Sequence, residues 1–439
     1  MWDLKLDTRR LVEGFSTSIL WERPNVLWNK ADDWWNDNYV TDPSTAAFLS
    51  ATGIIDPNKQ NYVNNLVIAL KNQGLWNKMK AIYPFVSEQR NLLNNTDTFS
   101  GWALEGGTLT GGFTDPQGGT TAYKYTNPGS QGLWATQTFT LASTTYTQSI
   151  WVKSVSGTNT TFDLSSGNGP IGKITVTATS TWQRVSNTTF LDAGGSMYIF
   201  NISNPAGIYV WHPQMELGNL TDYQVTINAQ EQFAAAYKYN LKDPQDTDAA
   251  FRLKIFGTWT FTPTGALPNG TNAYMDTTIA PSSNLTSGNT HASVYIRTNT
   301  AAGVKQELGS IDTPTLGGEY SIITKFTGNL AYPIIASFSN TFFPTYSNTN
   351  SQGFWVVNRE NTTNIQYYNR NTKVIDTAQT NGMSTRNIYV GARNNAGSAD
   401  RFSDRENAFV SIGDGLTDAE AAAFYTIVQQ FQTNLNRQV

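Results

Sequence analysis

The region from residue 91 to 226 alternates apolar and polar positions in short runs, separated by clusters of turn-forming residues. The alternation is clearest in QSIWVKS and WQRVS, and runs such as TTAYKYTN and SMYIFNIS recur between Gly, Asn and Thr. Successive side chains of a β-strand point to opposite faces, so a period of two indicates strands with one buried face. Short strands joined by such turns predict an antiparallel β-sandwich.

A second strand-rich region extends from about residue 255 to 415, with runs such as HASVYIRT, EYSIITKF and GFWVVNR. An amphipathic helix closes the chain. Thr417 and Glu420 form the T-x-x-E pattern of a capping box at its start. Its apolar face consists of Phe424, Ile427, Val428, Phe431 and Leu435. We therefore predict a second sandwich with this helix lying on it.

Residues 42–86 have a helical pattern instead. Asp56 and Pro57 suit the N-cap and the first helical position. An apolar stripe at i, i+3, i+4 and i+7 follows, formed by Val63, Leu66, Val67 and Leu70. The run LWNKMKAIY predicts a second short helix that ends before Pro84.

The predicted fold class is mainly β, with two antiparallel, jelly-roll-like β-sandwiches, a small helical N-terminal segment and a C-terminal helix. The predicted divisions are a Trp-rich N-terminal docking arm (1–41), a helical segment (42–90), the first sandwich (91–226) and the second sandwich with its helix (227–439).

Composition narrows the classes of function. Charged residues are 14% of the chain and the net charge is −4, with no Lys/Arg block that could follow a phosphate backbone, so we expect no nucleic-acid partner. There is no apolar run long enough for a transmembrane helix and no signal-peptide pattern, so we expect no membrane insertion. Cysteine is absent and the two histidines, His212 and His291, are far apart, which disfavours disulfides and His- or Cys-based metal sites.

Five of the thirteen tryptophans lie in the first 40 residues: Trp2, Trp21, Trp28, Trp34 and Trp35. Trp is a preferred anchor in protein interfaces. Two interpretations remain, an arm that docks on a neighbouring subunit and an arm that wraps its own later domains.

Motifs for catalysis are missing. A sandwich glycosidase needs two carboxylates across the scissile bond. The nearest set, Glu307, Asp312 and Glu319, does not have the alternate spacing that places carboxylates on one strand face. We therefore predict that the protein is not an enzyme and has no cofactor.

Asn91–Val225 resembles the carbohydrate-binding-module-like domains of tailed-bacteriophage virion proteins. The resemblance is carried by NLLNNTDTFSGW, SIWVKS, TWQRVSNTTF and IYVWHPQMELGNLTDYQVT. Residues 238–439 resemble the concanavalin A-like (laminin-G-like) lectin domain of phage tail or fibre proteins, through DTDAAFRL, GALPNGTNAYMDT, NIYVGARNNAG and DGLTDAEAAAFYTIVQQFQTNLNRQV. The helical piece at 48–86 resembles what precedes that lectin domain, so the first sandwich looks like an insertion.

The resemblance implies a structural protein of a tailed phage virion, such as a tail or head fibre, spike or decoration, assembled in the host cytoplasm. It implies binding to host-surface polysaccharide, docking on other virion proteins through the N-terminal arm, and a homo-oligomer, with a trimer favoured. The alternatives are a purely architectural virion protein and a polysaccharide depolymerase.

Glycan binding needs exposed aromatic rings with polar groups beside them. The candidates are Trp102, Tyr123 and Trp134 in the first sandwich and Trp355, Tyr367 and Arg393 in the second. Packing remains the alternative for each. For Trp151, Trp182 and Trp211, which lie within predicted strands, a core position is favoured. A Ca²⁺ ion held by loop oxygens is compatible with a lectin-like sandwich, but no residue is assigned to it.

Overall fold

The computed structural model describes residues 21–23, 26–28, 41–127, 132–136, 144–166, 172–191, 195–224, 226, 228–313, 318–338 and 343–439. Met1–Thr41 forms one unit, of which the structure describes a short hairpin. Its strands β1 (Trp21–Arg23) and β2 (Val26–Trp28) are antiparallel, with Trp21 opposite Trp28. Trp2, Trp34 and Trp35 lie outside the described residues, so the docking role of these tryptophans stays a prediction.

The second unit, Asp42–Val439, begins with helices α1 (Pro43–Thr52) and α2 (Pro57–Asn72). The Asp56 side chain accepts hydrogen bonds from the backbone N–H groups of Asn58 and Lys59, which caps α2 as predicted. The stripe of Val63, Leu66, Val67 and Leu70 is buried. The predicted amphipathic helix is therefore confirmed.

The prediction of a helix at LWNKMKAIY is wrong. A 3-10 turn at Trp76–Lys78 leads into strand β3 (Met79–Tyr83). Ala81 and Tyr83 belong to one hydrophobic core and Ile82 to another, so both faces of this strand are buried. Burial on both sides gives apolar spacings that imitate a helix.

The described residues of the first sandwich form ten strands: β4 (Ala103–Leu104), β5 (Thr108–Phe113), β6 (Ala122–Thr126), β7 (Leu133–Trp134), β8 (Thr144–Ser154), β9 (Thr160–Ser165), β10 (Ile174–Ala178), β11 (Gln183–Leu191), β12 (Tyr198–Phe200) and β13 (Ile208–Leu217). They form two five-stranded antiparallel sheets, sheet A in the order β10-β9-β12-β7-β4 and sheet B in the order β11-β8-β13-β6-β5. The core between them includes Ile150, Val152, Leu164, Ile199 and Val210.

The chain leaves the first sandwich close to where it begins. The backbone N–H of Thr96 donates to the carbonyl of Thr226 (3.0 Å) and the Asn91 side chain donates to the carbonyl of Gln224 (2.8 Å). Gln232, in helix α3 (Ala229–Tyr237), accepts from the backbone N–H of Asn91 (3.3 Å). Such adjacent ends suit a domain that is connected through a surface loop of another.

The second sandwich contains short helix α4 (Pro281–Asn284), a 3-10 turn at Asp248–Ala250, and strands β14 (Lys254–Phe256), β15 (Trp259–Thr262), β16 (Gly265–Pro268), β17 (Tyr274–Asp276), β18 (Thr290–Ile296), β19 (Leu308–Ile311), β20 (Gly318–Phe326), β21 (Leu330–Phe338), β22 (Tyr346–Ser347), β23 (Gly353–Arg359), β24 (Asn364–Asn369), β25 (Thr372–Ala378), β26 (Tyr389–Val390), β27 (Arg393–Asn395), β28 (Ser398–Asp400) and β29 (Asn407–Gly413). Sheet C has the order β14-β17-β26-β19-β20-β21-β22; β27 also pairs with β19, and β28 pairs with β27. Sheet D has the order β15-β16-β29-β18-β23-β24-β25, and β3 pairs with β29. The strand before the first sandwich therefore belongs to the second.

Helix α5 (Asp418–Asn434) has the capping box formed by Thr417 and Glu420, as predicted. Phe424, Val428 and Phe431 are buried in a second core that also contains side chains of α1, α2 and sheet D. Sheet D thus packs against sheet C on one face and helices on the other. The prediction of a mainly β fold with two sandwiches, N-terminal helices and a C-terminal helix is confirmed. The described helices include none with the length and apolar character needed to cross a membrane.

Candidate functional site

The outer face of sheet A carries a row of aromatic side chains. Trp134 on β7 and Tyr198 on β12 are cross-strand partners, with ring centroids 6.1 Å apart and ring planes inclined by 21°. Their neighbours Leu133 and Ile199 are completely buried in the sandwich core. Alternation along a strand therefore places both rings on the opposite, outer face, where each is partly exposed. Phe200, two residues along β12 from Tyr198, shares this face.

A polar cluster adjoins these rings. Asp163 on β9 is the cross-strand partner of Phe200. Its carboxylate accepts hydrogen bonds from Asn201 (2.8 Å), Lys173 (3.1 Å) and Thr175 (2.7 Å). Burial raises the pKa of this carboxyl, but the three hydrogen bonds and the Lys173 charge outweigh burial and hold the pKa below its ordinary value. Asp163 is therefore a fixed anion at neutral pH.

Together these residues form a platform, defined here as Trp134, Tyr198, Phe200, Asp163 and its partners. The Lys173 side chain is 39% exposed, and its ammonium lies 5.9 Å from the Phe200 ring centroid. An ammonium has three donors, so N–H groups of Lys173 that Asp163 does not use remain available. Aromatic faces beside fixed polar groups can hold a ligand that has both an apolar face and hydroxyls.

The structure brings only Trp134 of the predicted residues into this platform. Trp102 donates its indole N–H to the carbonyl of Asn94 (2.9 Å), and its ring contacts Phe99 edge-on at 4.9 Å. Tyr123 also contacts Phe99 (5.1 Å), and both side chains pack against the core. Both rings nevertheless remain partly exposed, so a glycan-binding role for Trp102 and Tyr123 stays a prediction beside the packing alternative.

Trp355 and Tyr367 are completely buried between sheets C and D, with ring centroids 5.3 Å apart. The Trp355 indole N–H donates to the carbonyl of Ser351 (2.9 Å). No glycan can stack on rings that solvent does not reach, so their assignment as binding residues is corrected. Both sit on interior strands of sheet D, where alternation turns them inward.

Arg393 is held in place by Asp400 through two hydrogen bonds, from Nε (2.8 Å) and Nη2 (2.6 Å). Its side chain is largely buried and lines a cavity of about 260 Å³ on sheet C. Arg393 therefore does not share a site with Trp355 or Tyr367. It belongs to a separate pocket.

The predicted core position is wrong for Trp151 and Trp182, which lie partly exposed on the outer side of sheet B. Ile150 and Val152, the neighbours of Trp151, take the core positions instead. Trp211 is buried, but on that same outer side, where the ring of His212 stacks on it. Tyr198, Phe200 and Asp163 were missed, although the period of two in SMYIFNIS places Tyr198 and Phe200 on one face.

The carboxylates considered for hydrolysis have other contacts. Glu307 pairs with Arg405, and both side chains are completely buried. Asp312 accepts from the backbone N–H of Thr385 (2.7 Å), and Glu319 lines the sheet C cavity. Within the described ranges, no group of three or more His, Asp or Glu side chains lies close enough to hold a metal ion.

No family model and no curated protein matches this chain. Among solved structures, it is similar to the N-terminal modules of Clostridium thermocellum endo-1,4-beta-D-xylanase 10B complexed with xylohexaose, at 16% identity and a TM-score of 0.24. This match covers 32% of this chain and 30% of that chain. It is also similar to the enzymatically active domain of Bacteriophage CBA120 tailspike protein 4 (16% identity, TM-score 0.23, 29% and 21% covered).

A third similar structure is domain 4 of an extracellular arabinanase from Geobacillus stearothermophilus in complex with arabinotriose. Here the identity is 10%, the TM-score 0.27, and the match covers 39% of this chain and 81% of that one. Similarities at this level identify no family. The sandwich fold of this chain rests on its own strand pairing.

Proposed function

We propose that this protein binds glycans through the platform on sheet A and that it is a structural component of a tailed-phage virion, such as a fibre, spike or decoration. The observation that carries the binding proposal is the pairing of Trp134 with Tyr198 next to the anchored Asp163. The virion role is supported by the sequence resemblance of the two sandwich regions to phage virion proteins.

The platform suits a short stretch of polysaccharide better than a single sugar. Its aromatic rings and Asp163 lie on β7, β12 and β9, which are consecutive neighbours in sheet A. Neighbouring strands are about 4.8 Å apart, so three of them span about 10 Å. Rings on two strands can contact the apolar faces of sugar residues while Lys173 and Asn201 contact their hydroxyls. We therefore propose a linear host-surface polysaccharide as the ligand.

Binding without hydrolysis is the proposed activity. The platform has one anchored carboxylate, Asp163, whereas glycoside hydrolysis uses a pair on opposite sides of the bond. A reducing-end assay on host capsule tests this point. Release of new reducing ends by the purified protein, lost in Asp163→Asn, would overturn it.

The test of binding uses the full-length protein on an array of bacterial capsular, lipopolysaccharide and teichoic acid glycans. Tyr198→Ala and Trp134→Ala should each weaken binding at least about fivefold, since an aromatic contact contributes about 1 kcal/mol beyond its buried area. Tyr209→Ala is the matched control. Tyr209 is partly exposed on sheet B and contacts Phe113 at 5.1 Å, so its loss removes an aromatic ring away from the platform.

Equal loss in the control and the platform variants, with all variants folded by circular dichroism, would contradict the site. Absence of binding to every glycan together with tight binding to purified virion proteins would favour a purely architectural role.

The proposal further includes docking on other virion proteins through residues 1–41 and assembly as a homo-oligomer, with a trimer favoured. Multiple copies raise the avidity of weak glycan contacts through effective concentration. Deleting residues 1–40 should leave soluble sandwiches that bind glycan but no longer join particles. Normal incorporation of the truncated chain would contradict this docking role.

A further inference from the structure

A cavity of about 260 Å³ lies on the outer face of sheet C, between β20, β21 and the β27–β28 hairpin. Its lining is apolar on most sides and charged at one end. The apolar residues are Ile311, Ile323, Phe326, Tyr332, Ile334 and Phe343. The charged residues are Glu319, Arg393 and Arg401. Tyr320 and Ile322, which alternate with Glu319 and Ile323 on β20, are in the core, so the cavity is separate from the core.

Among the described residues, no anion is in direct contact with Arg401. Its guanidinium lies 5.6 Å from the centroid of the Phe326 ring, and among the described residues its side chain has no hydrogen bond and no salt bridge. Arg393, in contrast, is paired with Asp400 through Nε and Nη2, which leaves the N–H groups of Nη1 unused by that pair. Burial lowers the pKa of Arg401 and the nearby charge of Arg393 adds to this effect, while the charges of Glu319 and Asp400 partly oppose it.

Glu319 does not neutralise these cations by an ion pair. It is 3% exposed and accepts one hydrogen bond, from the Ser321 hydroxyl (2.8 Å). Burial raises the pKa of this carboxyl, and the charges of Arg393 and Arg401 only partly oppose the rise. Asp400 is paired with Arg393, so among the described residues the guanidinium of Arg401 is left at this end of the cavity without a carboxylate in direct contact. This end of the cavity can therefore accept an anion.

We propose that this cavity binds one carboxylate-bearing sugar unit of the hexuronate class, with the carboxylate on Arg401 and Arg393 and the ring against the aromatic wall. The planar guanidinium fork matches a carboxylate in two parallel hydrogen bonds. A poorly solvated charge without a partner is unfavourable, and a bound carboxylate removes that cost. Glu319 also lines the cavity and would be the group available to hydrogen-bond a ring hydroxyl.

The size of the cavity limits the ligand. Pockets for drug-sized molecules are about 300–1,000 Å³, so 260 Å³ suits a single monosaccharide. The site lies in the second sandwich and does not depend on the platform of the first. Tyr198→Ala should leave uronate binding in this cavity unchanged, and this separates the two proposals.

The experiment is calorimetric titration of the full-length protein with D-glucuronate and D-galacturonate, and with D-glucose and D-galactose as neutral controls. The uronates should bind, and the neutral hexoses should bind at least tenfold more weakly. Arg401→Gln should lose at least tenfold in uronate affinity. Arg386→Gln is the matched control, because Arg386 is exposed on the same domain, and it should have no effect.

The Glu319→Gln variant tests whether the cavity binds an anion or a cation. It preserves shape and removes the negative charge, so uronate binding should be retained and should lose its weakening at high pH. In the unchanged protein, Glu319 faces Arg393 and Arg401 with Asp400 beyond them, and its ionisation at higher pH repels the ligand carboxylate.

If Arg401→Gln does not fold, Arg401→Lys is the second variant. It keeps the positive charge and removes the planar guanidinium fork, so it should bind uronate several-fold more weakly. Equal affinity for uronate and hexose, unchanged binding in both folded Arg401 variants, or no uronate binding at millimolar concentration would overturn the proposal.

Discussion

Glu307 and Arg405 form an ion pair inside the second sandwich, and the side chain of each is completely buried. Glu307 also accepts from the backbone N–H of Thr324 (2.8 Å), and Arg405 donates to the carbonyl of Lys325 (2.7 Å). Moving two charges out of water is costly, so such a pair is worth little compared with well-packed apolar residues. Removing either residue alone is nevertheless costly, because the charge of the other is then left buried without a partner.

Arg405→Leu should therefore lower the free energy of unfolding by about 3–5 kcal/mol. Chemical denaturation followed by fluorescence measures the change. Lys373→Met is the control, since Lys373 pairs with Asp418 at the surface, where such pairs contribute about 0–1 kcal/mol. The double variant Glu307→Leu with Arg405→Leu should recover part of the loss. A cost for Arg405→Leu no larger than that of the control would contradict the importance of the pair.

Asp163 should make the stability of the first sandwich depend on acid pH. Its pKa in the folded protein lies below the ordinary 3.8, so its contribution is fully present above pH 3.8 and is lost as pH falls through the lower folded value. Asp163→Asn should destabilise the protein by about 1–2 kcal/mol at neutral pH, and the difference should shrink as the pH falls below 3.8. Denaturation at several pH values checks this. Glu105→Gln, an exposed change in the same sandwich, is the control. An equal cost of Asp163→Asn across the pH range would refute the linkage.

The sequence predicted which residues share a strand face, but not which face is buried. In QSIWVKS, Trp151 alternates with Ile150 and Val152, and the aliphatic pair takes the core. In GFWVVNR the two faces cannot be told apart, because sheet D is covered on both sides. Phe354 packs toward the helices and Trp355 toward sheet C. The choice of Trp355 as an exposed ring was wrong for this reason.

Most of the features that the sequence did not predict depend on pairing between strands that are far apart in the chain. The helices α2 and α5 were predicted correctly because the capping residues and the apolar face of each lie within one short segment of the sequence. The platform combines Trp134, Asp163 and Tyr198 from three strands, and only the register of sheet A brings them together. Likewise β3 is a strand because it pairs with β29, more than 300 residues later. Neither the platform nor the β3–β29 pairing can be predicted from a short segment of the sequence.

Gly413 gives a direct test of the β3–β29 pairing. A Cβ at this position would lie 2.2 Å from the carbonyl oxygen of Lys78 and 3.0 Å from Cα of Met79, so β3 would have to move. Gly413→Ala should destabilise the protein by about 1–3 kcal/mol, the usual cost of overpacking. Hydrogen exchange should accelerate at the amides of Ala81 and Tyr83. Gly303→Ala is the control, because its new Cβ meets only the flexible side chain of Lys305. Unchanged exchange in β3 would contradict this account of the strand.

His291 should make the second sandwich lose stability in mild acid. Its ring is completely buried, and Nδ1 and Nε2 lie 2.6 Å from the carbonyl of Asp414 and 3.0 Å from the Ser411 hydroxyl. Burial lowers the pKa of His291 from 6.5 to about 4.

Between these two pKa values the unfolded chain binds a proton that the folded protein does not, so stability falls as pH decreases. The contribution is complete above pH 6.5 and is lost on the way to about pH 4 at roughly 1.4 kcal/mol per pH unit, or about 3 kcal/mol in total. His291→Gln removes the titration, so the free energy of unfolding of the variant should vary less with pH over this range. The measurement is urea denaturation of both proteins at intervals from pH 7.5 to pH 4, and parallel curves would show that His291 is not the group responsible.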